Sequence, residues 1–305
     1  MNWFFIALIN PIAHALVNHI DKYLVSRFMK GGSVGTLVLF SALFSVVALP
    51  VILIINPSVF DSVSVWQALV LMVNGGLLVT AIILYLYALE SDEASYVAPL
   101  FQLVPVFGFF LGFLVLGEVI ETKQLLAAVI IIAGSTLLSL EFSGGKSKIK
   151  KKLLLLMIGS SLLYAANAVI FKSIAVQQGF LDSLFWDLTG KFVFGVILFF
   201  AVRSYREQFV TLLRSNRFAI IGLNTLNEIV ALVGEVAFVL AVLYAPVFLV
   251  QSVAGLQPMF VFIIGIILTL FFPRLGKESL QKKDLLQKII GIAVITVGVY
   301  FLGTL

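Results

Sequence analysis

Cysteine is absent from this chain of 305 residues, and histidine occurs only twice, at His14 and His19. The first absence excludes disulfides, thiolate nucleophiles and cysteine-ligated metals. The second leaves too few imidazoles for a histidine metal centre by themselves. Charge is scarce as well: 11% of residues are charged against 61% hydrophobic, with a mean hydropathy of +1.15. No soluble globular domain has this composition. Phosphate-binding glycine loops, nucleophile elbows and metal-ligand clusters are also missing, and Gly75–Gly76, inside an apolar run, fits none of them. The sequence therefore predicts no enzyme, no cofactor, no metal and no nucleic-acid partner. Its net charge of +5 fits basic cytoplasmic loops instead.

What is present is apolar runs from end to end. About 20 apolar residues suffice to cross a bilayer as a helix. Ten spans are expected, near residues 3–26, 33–55, 65–89, 94–116, 122–140, 153–177, 181–202, 218–243, 246–272 and 285–303. The first lacks a basic leader and a cleavage site, so it reads as a retained span rather than a signal peptide. The one obvious linker is the glycine-containing basic stretch EFSGGKSKIKKK at Glu141–Lys152. It separates a first half, residues 1–140, from a second, residues 153–305, with five spans in each.

The halves resemble each other. Pro105 and Pro258, Phe107 and Phe260, and Asn74 and Asn227 all stand 153 residues apart, and Lys22 and Lys172, and His14 and Tyr164, stand 150 apart. AAVIIIAG (Ala127–Gly134) in the fifth run corresponds to GIAVITVG (Gly291–Gly298) in the tenth. Matches in one order across five spans indicate an internal duplication. An odd number of spans per half forces opposite orientations. The expected fold is all-α, ten transmembrane helices in two inverted five-helix repeats around a central cavity, with a site at the repeat interface.

Polar residues inside the spans name the candidate cavity. In Phe218–Leu243, Asn224, Asn227, Glu228 and Glu235 share one helical stripe. The two glutamates are two turns, roughly 10.5 Å, apart along the axis. A carboxylate facing lipid costs roughly 2.5–3.5 kcal/mol or more, so this face is expected to line a polar interior; a neutral glutamate bonded to a neighbouring helix is the bland alternative. His14 and Asn18 share a stripe of the first span with Asp21 and Lys22, and Pro11 frees a backbone carbonyl there. Asp187 and Lys191 stand at i, i+4, the spacing of an intrahelical pair, while Glu228 or a substrate carboxylate is the other partner open to Lys191. Gln102 and Gln257 lie beside the two corresponding prolines, and Asn74 completes the set of candidate substrate or coupling residues. Lys172 is expected to snorkel to the interface, and Gly108, Gly112, Gly265 and Gly291 to permit close helix approach.

Orientation follows from alternate loops. One set holds Arg27, Lys30, Lys146, Lys148, Lys150–Lys152, Arg203, Arg206, Arg214, Arg217, Arg274, Lys277, Lys282 and Lys283; the other holds only Lys123. The basic set is expected in the cytoplasm, which puts both termini outside it.

The segment ASYVAPLFQLVPVFGFFLGFLVLGEVIETKQLLAAVIIIAGSTLL, residues 94–138, resembles the EamA-type repeat of the drug/metabolite transporter superfamily. Its carrying features are the mid-helix Pro105, Leu116–Gly117–Glu118 and the small-residue final helix ending at Gly134. The second half lacks the Leu-Gly-Glu and has a basic loop, FFPRLGKESLQKKD. The charge bias is opposite to the usual family arrangement. The resemblance implies a ten-helix transporter of small organic metabolites.

The reading is a secondary active transporter, exporter, importer or exchanger, of a small polar metabolite such as an amino acid, working by alternating access. No ATP-binding motif is visible, so a gradient supplies the energy, with Glu228 the first candidate for a proton-coupling carboxylate and Glu235 the second. The rivals are a flippase for a lipid-linked sugar, a nucleotide-sugar transporter and a non-transporting receptor or scaffold. The expected partners are the small-molecule substrate, membrane lipid and protons, with the chain a monomer or homodimer in a prokaryotic inner or plasma membrane.

Overall fold

A computed structural model describes residues 2–28, 34–91, 97, 100–139, 151–215, 217–271 and 282–303. Residues 141–150 of the linker 141–152, residues 92–93 and the basic loop 272–281 lie outside the described residues, as does the side chain of Lys22, while Lys151 and Lys152 of the linker open a helix. Every described secondary-structure element is helical. In a hydrocarbon medium this is the local solution that satisfies every backbone donor and acceptor within one segment.

The helices are α1 (Asn2–Phe28), α2 (Val34–Phe44), α3 (Ala48–Ile55), α4 (Val59–Ser62), α5 (Val65–Ser91), α6 (Leu103–Leu111), α7 (Thr122–Ser139), α8 (Lys151–Gln178), α9 (Phe180–Ala201), α10 (Arg203–Ser215), α11 (Arg217–Tyr244), α12 (Val247–Ala254), α13 (Gln257–Phe271) and α14 (Lys282–Gly303). A short 3₁₀ turn, Ser45–Val47, joins α2 to α3. Among the described residues seven helical stretches are long and apolar enough to cross a membrane, and three shorter apolar helices accompany them at Leu103–Leu116, Thr122–Leu137 and Lys288–Phe301. The chain is an all-α, multi-pass integral membrane protein.

Two spans are broken at corresponding places. A turn at Phe101–Gln102 precedes α6, and a turn at Gly255–Leu256 precedes α13. Pro105 and Pro258 fall in the first turn that follows each break, where a missing N–H leaves no helical bond unmade. Pro11, by contrast, lies inside α1 without ending it. Next to it, Asn10 donates to the carbonyl of Gly234 in α11 at 3.1 Å.

Glycines set the closest helix approaches. A Cβ on Gly75 of α5 would lie 2.1 Å from the carbonyl oxygen of Asp187, and one on Gly190 of α9 would lie 2.0 Å from that of Met72. The backbones of α5 and α9 therefore touch, as small residues allow in membranes. At the α7–α14 contact the packing is reciprocal. A Cβ on Gly134 would meet Ile295 and the Gly291 carbonyl, and one on Gly298 would meet Ile131 and the Ala127 carbonyl at the same distances, 2.8 and 3.0 Å. A second reciprocal pair links other spans: Asn10 bonds the Gly234 carbonyl, and Ser160 Oγ donates to the Ala81 carbonyl at 2.9 Å.

Candidate functional site

The polar stripe of α11 faces inward. Asn224, Asn227 and Glu228 are buried, and Glu235 is nearly so. Across from it α9 presents Asp187 and Lys191, both 4% exposed. Lys191 does not pair with Asp187 one turn away, nor with Glu228: its Nζ is 2.6 Å from Glu235 Oε2. Asp187 instead accepts a hydrogen bond from Asn74 Nδ2 at 2.7 Å. The reason lies in the glycine crossing. With Gly75 and Gly190 in backbone contact, the neighbouring Asn74 is close enough to occupy the Asp187 carboxylate. Asn74 also donates to the Asn167 carbonyl, and Asn167 returns the bond to the Asn74 carbonyl, each at 3.2 Å, so the carboxamide is held from two helices.

Between α2, α9 and α11 lies a small cavity of about 10 Å³, lined by Ser41, Phe44, Ser45, Lys191, Glu228, Ala231, Leu232 and Glu235. That is room for about a single water. Small-molecule sites usually run to roughly 300–1,000 Å³, so the described conformation is closed around its charged groups. Glu228 and the Ser41 hydroxyl approach each other across this space. His14 of α1 lies within electrostatic range of Glu235 and Lys191, and its ring edge is 3.5 Å from where a Cβ on Gly234 would be. At the far end of the stripe, Asn227 Nδ2 donates to Asp21 of α1 at 2.7 Å.

Of the residues marked in the sequence, Asp187, Lys191, Glu228 and Glu235 converge in one cluster, with Asn74, Asn227 and His14 beside it. Asn18 does not join it: its side chain is exposed, although it shares a helix with His14. Gln102 and Gln257 lie at the two helix breaks instead. Gln102 is 7% exposed, its Oε1 has no hydrogen-bond partner among the described residues, and that atom stands 2.8 Å from where a Cβ on Gly255 would be. Gln257 is half-buried.

Several residues at these sites carried no local signal. Ser41 and Ser45 are isolated hydroxyls in an apolar run. Gln251, 3% exposed with neither amide atom bonded among the described residues, fills the space left by the missing side chain of Gly108. Glu118, marked in the sequence only as part of the family resemblance, is the largest omission from the candidate site. Its Oε1 is 2.6 Å from Lys172 Nζ, and its Oε2 accepts the backbone N–H of Val247 at 2.9 Å, at the start of α12. Lys172, expected to snorkel, also donates to the Ala245 carbonyl at 2.7 Å. A left-handed Gly117, φ +66°, ends the π-helical turn at Gly112–Leu116 and folds Glu118 back over Gly112. The Leu-Gly-Glu sequence thus ties the end of one broken span to the beginning of the other.

Comparison with known proteins agrees with this architecture. The model of the EamA-like transporter family matches residues 1–140, consistent with the drug/metabolite transporter superfamily. No curated protein matches the chain in sequence. Among solved structures 25 chains match, so the fold is a recurring one. One of them, a crystal structure described only as that of a protein, aligns with a TM-score of 0.69 at 12% identity, covering 98% of this chain and 94% of its own. At that identity the likeness is one of fold alone.

Proposed function

We propose that this chain is a membrane transporter of the drug/metabolite type, a reading supported by the match over residues 1–140. It is a secondary active transporter that moves a small polar metabolite, such as an amino acid, by alternating access between two inverted halves, residues 1–140 and 153–305. The reciprocal contacts support the two halves. Gly134 and Gly298, Asn10 and Ser160, and the breaks before Pro105 and Pro258 each recur at equivalent places.

The observation that carries the reading is the buried cluster Lys191–Glu235–Glu228, walled by α2 from one half and by α9 and α11 from the other. Buried charges without a role are rare in membrane spans. One lysine faces two glutamates, and only Glu235 holds it here. A shift of α9 against α11 that moved Lys191 toward Glu228 would exchange the carboxylate that holds the lysine. Admitting a metabolite requires a cavity larger than the present one of about 10 Å³. His14, Asp21 and Asp187 are the other titratable groups around this exchange.

The test is Glu228→Gln, which keeps shape and most hydrogen bonding while removing the titratable proton. In proteoliposomes driven by an imposed pH gradient and screened with amino acids, the variant is expected to bind substrate but to lose concentrative uptake and its pH dependence, while exchange survives. Normal accumulation with unchanged pH dependence would reduce Glu228 to a structural group.

A further inference from the structure

We propose that the outward face of α10 binds the phosphodiester headgroup of an anionic phospholipid, with Arg206 and Arg214 as its cationic contacts. The helix follows one membrane-spanning stretch, Phe180–Ala201, and precedes another, Ile221–Tyr244, so it lies at a membrane face. Its inner side is firmly docked. Tyr205 and Leu212 are buried, Phe209 packs on Phe40 with ring centroids 4.9 Å apart, and the Tyr205 and Tyr87 hydroxyls are 2.8 Å apart. Gln208 accepts the Gly35 N–H at 3.1 Å, at the start of α2. With one side docked on the bundle, the other is open and lies at the level where the flanking spans leave the membrane.

That other side is an open cleft of about 410 Å³ lined by Arg203, Arg206, Glu207, Val210, Thr211 and Arg214. Glu207 is taken by Arg203 at 2.6 Å. Arg206 and Arg214 have no carboxylate partner among the described residues. They lie eight residues apart, roughly 12 Å along the axis, with Val210 between them as an apolar floor and Thr211 as a further hydroxyl. A guanidinium presents a planar fork that matches phosphate oxygens. At this depth the counter-charge present in quantity is the phosphate of anionic lipid, to which each surface arginine adds about fivefold in affinity. Because α10 also bridges the ends of α2 and α5, a lipid held there would steady the rim of the bundle.

The test uses the full-length protein reconstituted in phosphatidylcholine alone or mixed with phosphatidylglycerol, with lipids retained after detergent extraction counted by native mass spectrometry. Wild-type protein is expected to retain phosphatidylglycerol over phosphatidylcholine. R206Q/R214Q should weaken that retention roughly thirtyfold and R214Q alone, at an exposed position, about fivefold. K151Q/K152Q, which removes two exposed charges from the same membrane face, should leave it intact. Undiminished retention in R206Q/R214Q and R214Q overturns the proposal. Equal loss in R206Q/R214Q and K151Q/K152Q also overturns it, since the attraction is then diffuse. Displacement of the lipid by inorganic phosphate would show a soluble-anion site instead.

Discussion

At the scale of single residues, Glu118 and Lys172 show what sequence could and could not carry. Leu116–Gly117–Glu118 stood out as a family feature, but nothing local links position 118 to 172 or 247. The link exists because a π-turn and a left-handed glycine fold the carboxylate back. The pair is mostly buried, at 13% and 10% side-chain exposure. Breaking a buried pair from one side leaves an uncompensated charge and costs about 3–5 kcal/mol. Lys172→Met is therefore expected to lower the melting temperature in detergent sharply, and Glu118→Gln less, because the amide oxygen can still accept from Val247. The double variant should lose less than the two single losses added together. Additive losses would mean the two side chains act independently, despite their 2.6 Å separation. The same lesson applies to Lys191. Its i, i+4 spacing from Asp187 was visible in the sequence, and its actual partner, Glu235, 44 positions away, depends on how α9 meets α11.

At the scale of elements, apolar runs located the spans well, because hydrocarbon demands long uninterrupted helices. The stripe of α11 was legible for the same reason: four polar groups at helical spacing have few places to hide. The helix crossings were not legible. Gly75 and Gly190 look like other glycines in apolar runs, yet between them α5 and α9 come into backbone contact. Gly75→Ala or Gly190→Ala must push the helices apart, and overpacking of this kind costs typically about 1–3 kcal/mol. The shift should also pull Asn74 from Asp187 and so reduce transport. Gly222 is the control. A Cβ there meets nothing within 4 Å, so Gly222→Ala should be neutral or stabilise by about 0.4–1 kcal/mol. Melting curves of the three variants decide it: a Gly75→Ala protein as stable as Gly222→Ala would show that the contact yields easily.

At the scale of the whole molecule, matched prolines, asparagines and glycines pointed to a duplication, and the reciprocal packing of α7 on α14 has the form two related halves would give. Orientation in the membrane is a separate question, to be tested at the loops. Counting helices from the amino terminus places Ser58, between the second and third spans, on the side of the chain's start, and Ser204, at the head of α10, on the opposite side. Both serines are exposed. The lysines and arginines concentrate on the side of Ser204, which the positive-inside rule assigns to the cytoplasm. The chain has no cysteine, so Ser58→Cys and Ser204→Cys each give a single label site on an otherwise unreactive protein. In intact cells a membrane-impermeant maleimide is expected to label Ser58→Cys and to reach Ser204→Cys only after permeabilisation. The reverse pattern would invert the orientation while leaving the cluster around Lys191 where it is. Labelling of both from one side would break the span count itself, and with it the two opposed halves on which the alternating-access reading depends.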